Sequence, residues 1–321
     1  MEYIDIFDEN NNPIGEIKEK TKAHENGNFH RTAHIWIINN NNELLLQKRS
    51  ATKKSHPNCW DISGAGHIRT GESVTEGAIR ELKEELGVET KEKDLQYVAT
   101  IKSTKNPKNM EFQYVYLLKS NKKIEEYVFE DNEVSEVKYV HFEELEKMVE
   151  ERAEGLLIHN EEFKKLFEYI RNIEKDKYYI DIAIEISKNA KYPYGAIVVK
   201  DGEIIGRSDD KTLMETSMYS HAELEAIESA SKNKNLYGDL KGATIYVSCE
   251  PCMMCMGAIL YEEFSKVFYA ATLQDSNDNY CPEIITNIDE LAKYGNAKIE
   301  IIKELHREKA IEVLKMRGET E

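Results

Sequence analysis

The sequence lacks long hydrophobic runs: no apolar stretch approaches the roughly 20 residues that cross a bilayer. Its first residues, MEYIDIFDEN, are acidic and contain no apolar segment of the signal-peptide type. We therefore expect a cytoplasmic protein with no membrane association. Only five of the 321 residues are cysteine. Because thiols stay reduced in the cytoplasm, clustered cysteines are expected to bind metal or to react rather than to form disulfides.

Positive charge is also scarce. The formal net charge is −17, and residues 176–321 contain 26 acidic against 17 basic side chains. Duplex nucleic acids and tRNA are bound largely through Lys and Arg contacts to phosphate, so the lack of a basic run argues against a nucleic-acid partner. Small-molecule substrates are favoured.

The length predicts two domains, since 321 residues exceed one comfortable hydrophobic core. No Gly- or Ser-rich linker separates them. We place the boundary in the charged stretch RNIEKDK, which gives domains 1–172 and 173–321 joined by a helix. Hairpin, strand and helix patterns mix in the first domain and predict an α+β unit, with elements at 33–50, 73–86, 95–104, 111–118, 142–150 and 160–174.

The second domain alternates helices and strands. The pattern predicts helices at 177–189, from 221, from 252 and at 304–317, and strands at 195–206, 243–249, 266–271 and 297–302. Such alternation is typical of a sheet covered by helices on both faces, an α/β three-layer αβα sandwich.

Residues 66–88, GHIRTGESVTEGAIRELKEELGV, contain the first candidate site. On a helix, Glu81, Glu84 and Glu85 lie at i, i+3 and i+4, so their carboxylates share one face. Most acidic helix faces are simply solvated. Hard oxygen ligands in such a cluster suit Mg²⁺ or Mn²⁺, which also take substrate phosphates as ligands.

The full spacing of this segment resembles the Nudix box, G-x(5)-E-x(7)-R-E-U-x-E-E-x-G-U with U aliphatic, and matches every specified position. The resemblance implies a Nudix fold and a hydrolase that cleaves a diphosphate attached to another moiety. It assigns Glu81, Glu84 and Glu85 to the catalytic Mg²⁺ or Mn²⁺. It also implies that Gly66, Glu72 and Arg80 support the geometry of the loop and the helix that hold these glutamates.

The flanking segments FHRTAHIWII and HPNCWDISGAGHI resemble the Nudix branch close to isopentenyl diphosphate isomerase. Where that enzyme has a cysteine just before Gly-His, this chain has Ala65, which argues against isomerase chemistry. The resemblance places His30, His67 and Glu111 where the isomerases bind a second metal. Ordinary loop or strand histidines are the alternative.

The second candidate site contains three of the five cysteines, in the stretch CEPCMMC at 249–255. A Cys-x-x-Cys pair alone fits half of a structural zinc site, a redox pair or chance. His221 and Glu223, in SHAELEAI, supply the missing partners. One imidazole with the thiolates of Cys252 and Cys255 leaves a fourth tetrahedral position open, as in catalytic zinc sites.

This pattern, H-x-E followed by P-C-x-x-C, resembles the zinc deaminases, in which the glutamate is the general acid/base. Together with PYGAIVVKDGEIIG and KVFYAA it resembles the cytidine-deaminase-like superfamily, in the branch of guanine, cytosine and tRNA adenosine deaminases. The resemblance implies Zn²⁺ bound by His221, Cys252 and Cys255, and proton transfer by Glu223. Relatives often dimerise through helices beside the active site, so a homodimer through this domain is one expectation.

Two departures from the relatives bear on specificity. Asp210 stands where relatives have an Asn that hydrogen-bonds the base, and Met218 to Ser220 replace the usual residues before His-Ala-Glu. An ionised Asp accepts hydrogen bonds and repels phosphate. We therefore expect an unphosphorylated base, nucleoside or related heterocycle that offers N–H donors to Asp210.

The preferred interpretation is a bifunctional enzyme of nucleotide metabolism, a Nudix diphosphatase fused to a zinc deaminase. Only the fusion of the two domains suggests that they catalyse consecutive steps on one compound. The alternatives are a tRNA adenosine deaminase, or one domain acting as a non-catalytic ligand sensor for the other. The substrate of either domain stays open.

Overall fold

The computed structural model describes residues 2–129, 132–209, 220–232 and 240–319. The chain divides into two compact units, Met1–Arg171 and Asn172–Glu321. The division falls inside one helix, Asn160–Asn189. This agrees with the expectation that a helix joins the two domains. The helices predicted at 160–174 and 177–189 form one continuous helix, because the charged stretch between them contains no Gly or Pro to end it.

The first unit contains a two-stranded ribbon and one mixed sheet with helices. The strands are β1 (Tyr3–Phe7), β2 (Pro13–Glu19), β3 (His30–Ile38), β4 (Glu43–Arg49), β5 (Trp60–Asp61), β6 (Gly64–His67), β7 (Leu95–Asn106), β8 (Asn109–Lys119) and β9 (Val134–His141). The helices are α1 (Lys20–Glu25), α2 (Val74–Leu86), α3 (Phe142–Glu150) and the first part of α4 (Asn160–Asn189). β1 and β2 form a two-stranded sheet, and Phe7 of β1 also bridges to Phe29. The mixed sheet runs β5-β4-β3-β8-β7, with β6 on β3 and β9 on β4.

β3 is the central strand, and it buries side chains on both faces. Ala33, Ile35 and Ile37 are fully buried in the cluster that also contains the apolar stripe of α2. Since side chains alternate along a strand, His34 and Trp36 point to the opposite face, where both contact Glu162 of α4. The parallel pairing of β3 with β8 makes the sheet mixed, which confirms the predicted fold class.

α2 carries the acidic cluster, and local sequence fixes both of its ends. The Ser73 side chain accepts from the Glu76 backbone N–H at 3.1 Å while the Glu76 carboxylate accepts from the Ser73 N–H, which is a capping box. Gly87 ends the helix in the left-handed region with φ 63°. The stripe Ala78, Leu82 and Leu86 is fully buried, and the neighbouring Glu81 and Glu85 approach β6.

The second unit is a five-stranded sheet between two layers of helices. Its strands are β10 (Ala196–Lys200), β11 (Glu203–Arg207), β12 (Thr244–Cys249), β13 (Lys266–Ala271) and β14 (Glu300–Ile302), in the order β11-β10-β12-β13-β14. Its further helices are α5 (Ala222–Lys232), α6 (Met253–Tyr261), α7 (Leu273–Asn279), α8 (Ile288–Ala292) and α9 (Arg307–Gly318). One apolar cluster joins the sheet to α5 and α6, and another joins it to α4 and α9. The predicted three-layer sandwich is confirmed.

Several short elements differ from the predicted pattern. The predicted pattern lacks elements that the structure contains: the ribbon β1–β2, α1, β5, β6, β9, α7 and α8. The strand expected at 297–302 is shorter than predicted and forms β14. These segments are short or polar, and tertiary contacts stabilise them more than local periodicity does. Within the described part of the chain, every helix is too short or too polar to cross a bilayer.

Candidate metal and active sites

The acidic cluster of α2 lies against the start of β6. Glu85 is buried, and its Oε2 accepts from the Ala65 backbone N–H and from Gln47 Nε2, both at 3.2 Å. Burial, together with the charge of Glu81, raises the pKa of Glu85 to about 8. Burial also raises the pKa of Glu81. Two carboxyl groups with raised pKa values on one face would be stabilised as anions by a cation between them.

Arg80 connects the acidic cluster to the preceding loop. Its guanidinium donates to both oxygens of Glu72 at 2.8 and 3.0 Å and to the His67 carbonyl at 2.8 Å. It also contacts Glu81 at 2.5 Å and Glu84 at 3.1 Å. Arg80 and Glu72 therefore connect the loop before α2 to the helix.

The close approach of Gly66 to α2 is a second feature that fits a metal centre. A Cβ at Gly66 would lie 1.9 Å from Glu81 Cδ and 2.0 Å from Glu81 Oε1. Only glycine leaves room for this carboxylate beside β6. The donor set of Glu81, Glu84 and Glu85 consists of carboxylate oxygens alone, which suits Mg²⁺ or Mn²⁺.

Histidines from three elements meet near the start of β3. His24 Nε2 lies 3.1 Å from His67 Nε2, and the rings of His30 and His67 stack with centroids 5.1 Å apart. Ligand nitrogens of His24, His30 and His67 all lie within 4.8 Å of one another. The sequence analysis selected His30 and His67 but missed His24, because nothing in the sequence around His24 in α1 relates it to β3 or β6.

Glu111 belongs to the surroundings of this histidine cluster. Its Oε1 lies 3.7 Å from His30 Nε2, and this buried nitrogen has no hydrogen-bond partner among the described residues. Burial opposes ionisation of Glu111, but contact with His30 and the field of His34 hold its pKa at about 2. Burial lowers the pKa of His67, which favours the neutral ring that binds metals. A buried imidazole nitrogen without a partner and a neighbouring carboxylate fit a second cation.

The second unit brings the predicted zinc ligands together at the starts of two helices. His221 immediately precedes α5 and its carbonyl accepts from the Glu225 N–H at 3.0 Å. Cys252 is the N-cap of α6, and its backbone carbonyl accepts from the Met256 N–H at 2.8 Å. His221 Nδ1 lies 3.5 Å from Cys252 Sγ, which lies 3.6 Å from Cys255 Sγ.

These separations match a tetrahedral zinc site. Zinc bond lengths of about 2.3 Å to sulfur and 2.0 Å to nitrogen place two ligand sulfurs roughly 3.8 Å apart and sulfur and nitrogen roughly 3.5 Å apart. A hydrogen bond from Cys255, and the neighbouring His221, lower the pKa of Cys252 to about 4. The donor set and its geometry therefore fit Zn²⁺.

Glu223 lies in the first turn of α5, beside the cysteines. Its carboxyl group is buried and contacts the Cys255 thiol. Burial raises its pKa to about 7, so at neutral pH the group can both accept and release a proton. Cys249 is buried at the end of β12, and its Sγ contacts the Thr272 carbonyl at 3.5 Å, which agrees with a packing role.

Glu283 is a residue near the zinc ligands that the sequence analysis missed. It lies in the segment after α7, where Tyr194 Oη donates to its Oε1 at 3.4 Å and Asn277 Nδ2 donates to its carbonyl at 3.3 Å. Its charge contributes to the raised pKa of His221, for which contact with Cys252 is the larger cause. Its distance of 28 residues from Cys255 in the sequence gave no signal.

Asp210, which the sequence analysis expects to contact the substrate, lies outside the described residues, as do Met218 and Tyr219. Ser220 is described and is partly buried just before His221.

Two family models match the chain. Residues 28–158 match the NUDIX domain, and residues 173–271 match the cytidine and deoxycytidylate deaminase zinc-binding region. An uncharacterized Nudix hydrolase of Clostridium acetobutylicum is 36% identical over 161 residues, which cover 48% of this chain and 77% of the relative.

The second unit has relatives among deaminases. A tRNA-specific adenosine deaminase of Bacillus subtilis is 31% identical over 152 residues, which cover 42% of this chain and 93% of the relative. A guanine deaminase of the same organism is 42% identical over 84 residues, which cover 26% of this chain and 53% of that protein. The chain therefore belongs to the Nudix hydrolase family through its first unit and to the cytidine and deoxycytidylate deaminase family through its second.

Proposed function

We propose that the second unit, with residues 173–321 as the enzyme domain, is a zinc-dependent deaminase of a nucleobase, nucleoside or related heterocycle. The observation that carries this proposal is the contact of His221, Cys252 and Cys255 at 3.5 and 3.6 Å beside the buried Glu223. Zn²⁺ held by these three residues would supply the Lewis acidity that lowers the pKa of an attacking water.

Glu223 has the position and the pKa for proton transfer in this reaction. Its carboxylate accepts a proton from water as the C–O bond forms at the amidine carbon of the substrate. Its carboxylic acid then donates that proton to the nitrogen as the C–N bond breaks and ammonia leaves. Burial raises the pKa of Glu223 to about 7, which suits a group that accepts and then releases a proton near neutral pH.

A carboxylate beside the zinc ligands also bears on the substrate. Glu283 accepts hydrogen bonds and repels phosphate, as Asp210 would. Asn277 bonds the backbone carbonyl of Glu283, whose carboxylate accepts from Tyr194 Oη at 3.4 Å. This supports an unphosphorylated substrate with N–H donors, among which bases with exocyclic amines are the simplest class.

The test is ammonia release from a panel of bases, nucleosides, mononucleotides and an adenosine-containing tRNA stem. We expect release from a base or nucleoside, and we expect Glu223→Gln to reduce it at least about 100-fold, the scale of general acid–base catalysis, while bound zinc stays at the wild-type level. Glu228→Gln, on the exposed side of α5 where Glu228 pairs with Lys232, is the matched control. Release from the tRNA stem alone would instead favour tRNA adenosine deamination.

For the first unit, with residues 1–172 as the domain, we propose hydrolysis of a diphosphate-linked compound. Mg²⁺ or Mn²⁺ held by Glu81, Glu84 and Glu85 would polarise the diphosphate. Supporting this are the raised pKa of Glu85 and the space that Gly66 leaves for Glu81. We further propose that His24, His30, His67 and Glu111 hold a second cation.

A further inference from the structure

Arg69 lies in the loop between β6 and α2, at a position that the motif leaves open. The loop is fixed from two sides. The Arg69 N–H donates to Glu72 Oε2 at 2.9 Å, and the Thr70 N–H donates to the Tyr3 carbonyl of β1 at 2.9 Å. The backbone of Arg69 is therefore held rigidly beside the acidic face of α2.

The side chain of Arg69 reaches one of the proposed magnesium ligands. Its Nη2 lies 3.3 and 3.2 Å from the two oxygens of Glu84, and both side chains are about half exposed, at 45% and 41%. Among the described residues the guanidinium makes no other hydrogen bond, so Nε and Nη1 are available. Arg80, in contrast, has its donors engaged by Glu72, Glu81, Glu84 and the His67 carbonyl.

An open cleft lies beside Arg69. Its volume is about 520 Å³, and it is lined by Glu2, Tyr3, Arg69 and Thr70. Of the lining side chains, Arg69 carries a positive charge, and the negative charge of Glu2 is paired with Lys20 at 2.8 Å.

We propose that Arg69 binds a phosphate group of the substrate beside the metal centre, and that its contact with Glu84 belongs to the metal-free protein. The proposal rests on the diphosphatase function proposed above. A cation bound to Glu84 repels the guanidinium of Arg69. The released guanidinium presents a planar fork of donors that matches two phosphate oxygens.

Titration calorimetry of the full-length protein tests this without knowledge of the natural substrate. The affinity for Mn²⁺ is measured first, and the affinity of the Mn²⁺-saturated protein for inorganic pyrophosphate second. The variants are Arg69→Gln and Arg69→Lys. Lys83→Gln is the matched control, because Lys83 also lies on the loop–helix segment but pairs with Glu89 in solvent.

We expect Arg69→Gln to weaken pyrophosphate binding roughly tenfold or more, the loss of a charge-assisted contact, while Mn²⁺ binds as tightly as before or more tightly. Arg69→Lys keeps the positive charge but not the planar fork of donors, so its pyrophosphate affinity should lie between those of the wild-type protein and Arg69→Gln. Unchanged pyrophosphate affinity in Arg69→Gln overturns the proposal. A parallel loss of Mn²⁺ affinity also overturns it, because Arg69 would then support the metal ligands themselves.

Failure of the proposed function looks different. The diphosphatase assignment would fail together with the role of Arg69 if the wild-type protein bound no Mn²⁺. It would also fail if Glu85→Gln bound Mn²⁺ as tightly as the wild-type protein. Mn²⁺ binding that depends on Glu85, combined with no pyrophosphate binding by the wild-type protein, would overturn the role of Arg69 alone.

Discussion

Cys252 and Cys249 are three residues apart and differ in what surrounds their sulfur atoms. Cys252 Sγ faces His221 and Cys255, whereas Cys249 Sγ contacts a backbone carbonyl in the core. The difference follows from position, because Cys249 ends a strand and Cys252 begins a helix.

We expect Cys252→Ser to lower zinc affinity by at least tenfold, since loss of even an outer hydrogen-bond partner of a metal ligand costs roughly 10–100-fold. Metal content after dialysis against a competing chelator measures this. Cys249→Ser is the control and should retain zinc at the wild-type level. Equal zinc loss in both variants would contradict the assignment of ligands.

Gly66→Ala tests the first metal centre at the same scale. The added methyl group would occupy the space of the Glu81 carboxylate, so Glu81 must move away from β6. We expect weaker Mn²⁺ binding with little change in thermal unfolding, measured by calorimetry and circular dichroism. Gly257→Ala, where a Cβ meets open space, is the control and should leave Mn²⁺ binding unchanged.

At the scale of elements, a buried ion pair joins the start of α4 to β3. His34 Nδ1 lies 2.7 Å from Glu162 Oε2, and Trp36 Nε1 donates to Glu162 Oε1 at 2.8 Å. Burial opposes the charge on His34, but Glu162 outweighs it and raises the pKa of His34 to about 9. The same pairing lowers the pKa of Glu162 against the effect of burial.

These shifts predict how stability depends on pH. The contribution of His34 is fully present below its unfolded pKa of about 6.5 and is lost as pH rises through 9. The contribution of Glu162 is present above its unfolded pKa of about 4.3 and is lost as pH falls through the lowered value. We expect the first unit to be most stable between about pH 5 and 6.5.

Urea unfolding followed by tryptophan fluorescence measures this, because both tryptophans of the chain, Trp36 and Trp60, lie in the first unit. Glu162→Gln should lower its free energy of unfolding by about 3–5 kcal/mol, the cost of breaking a buried pair, and should abolish the decline between pH 6.5 and 9. Glu168→Gln, on the exposed side of α4, is the control and should retain the decline in stability between pH 6.5 and 9. A decline that persists in Glu162→Gln would refute the assignment to His34.

For the whole molecule, the two sites make their contacts within separate units. Glu85 bonds to Gln47 and Ala65, and Glu223 contacts Cys255. We expect Glu85→Gln to change kcat/KM for ammonia release by less than about twofold, within the scatter of independent sites. A larger change would support the alternative in which one unit senses a ligand for the other.

Much of the fold was predictable because its signals are local. The stripe of α2 and the alternation of helices and strands after residue 176 follow from period and caps. The ribbon β1–β2 and α1 gave little signal, since exposed or short segments carry no clear periodicity. In β9 the buried valines are three residues apart rather than alternating, so its sequence lacks the strand pattern.

The sequence alone determined which metal-binding side chains lie together within one helix or at one helix start, because residue spacing fixes their positions there through local geometry. Glu81, Glu84 and Glu85 share a helix face for that reason, and Cys252 and Cys255 share another. Tertiary structure alone decided that His24 joins His30 and His67, that Glu283 lies near His221, and that Arg69 reaches Glu84. These contacts join residues on different elements, and their distances depend on how strands, loops and helices pack, which no local pattern encodes.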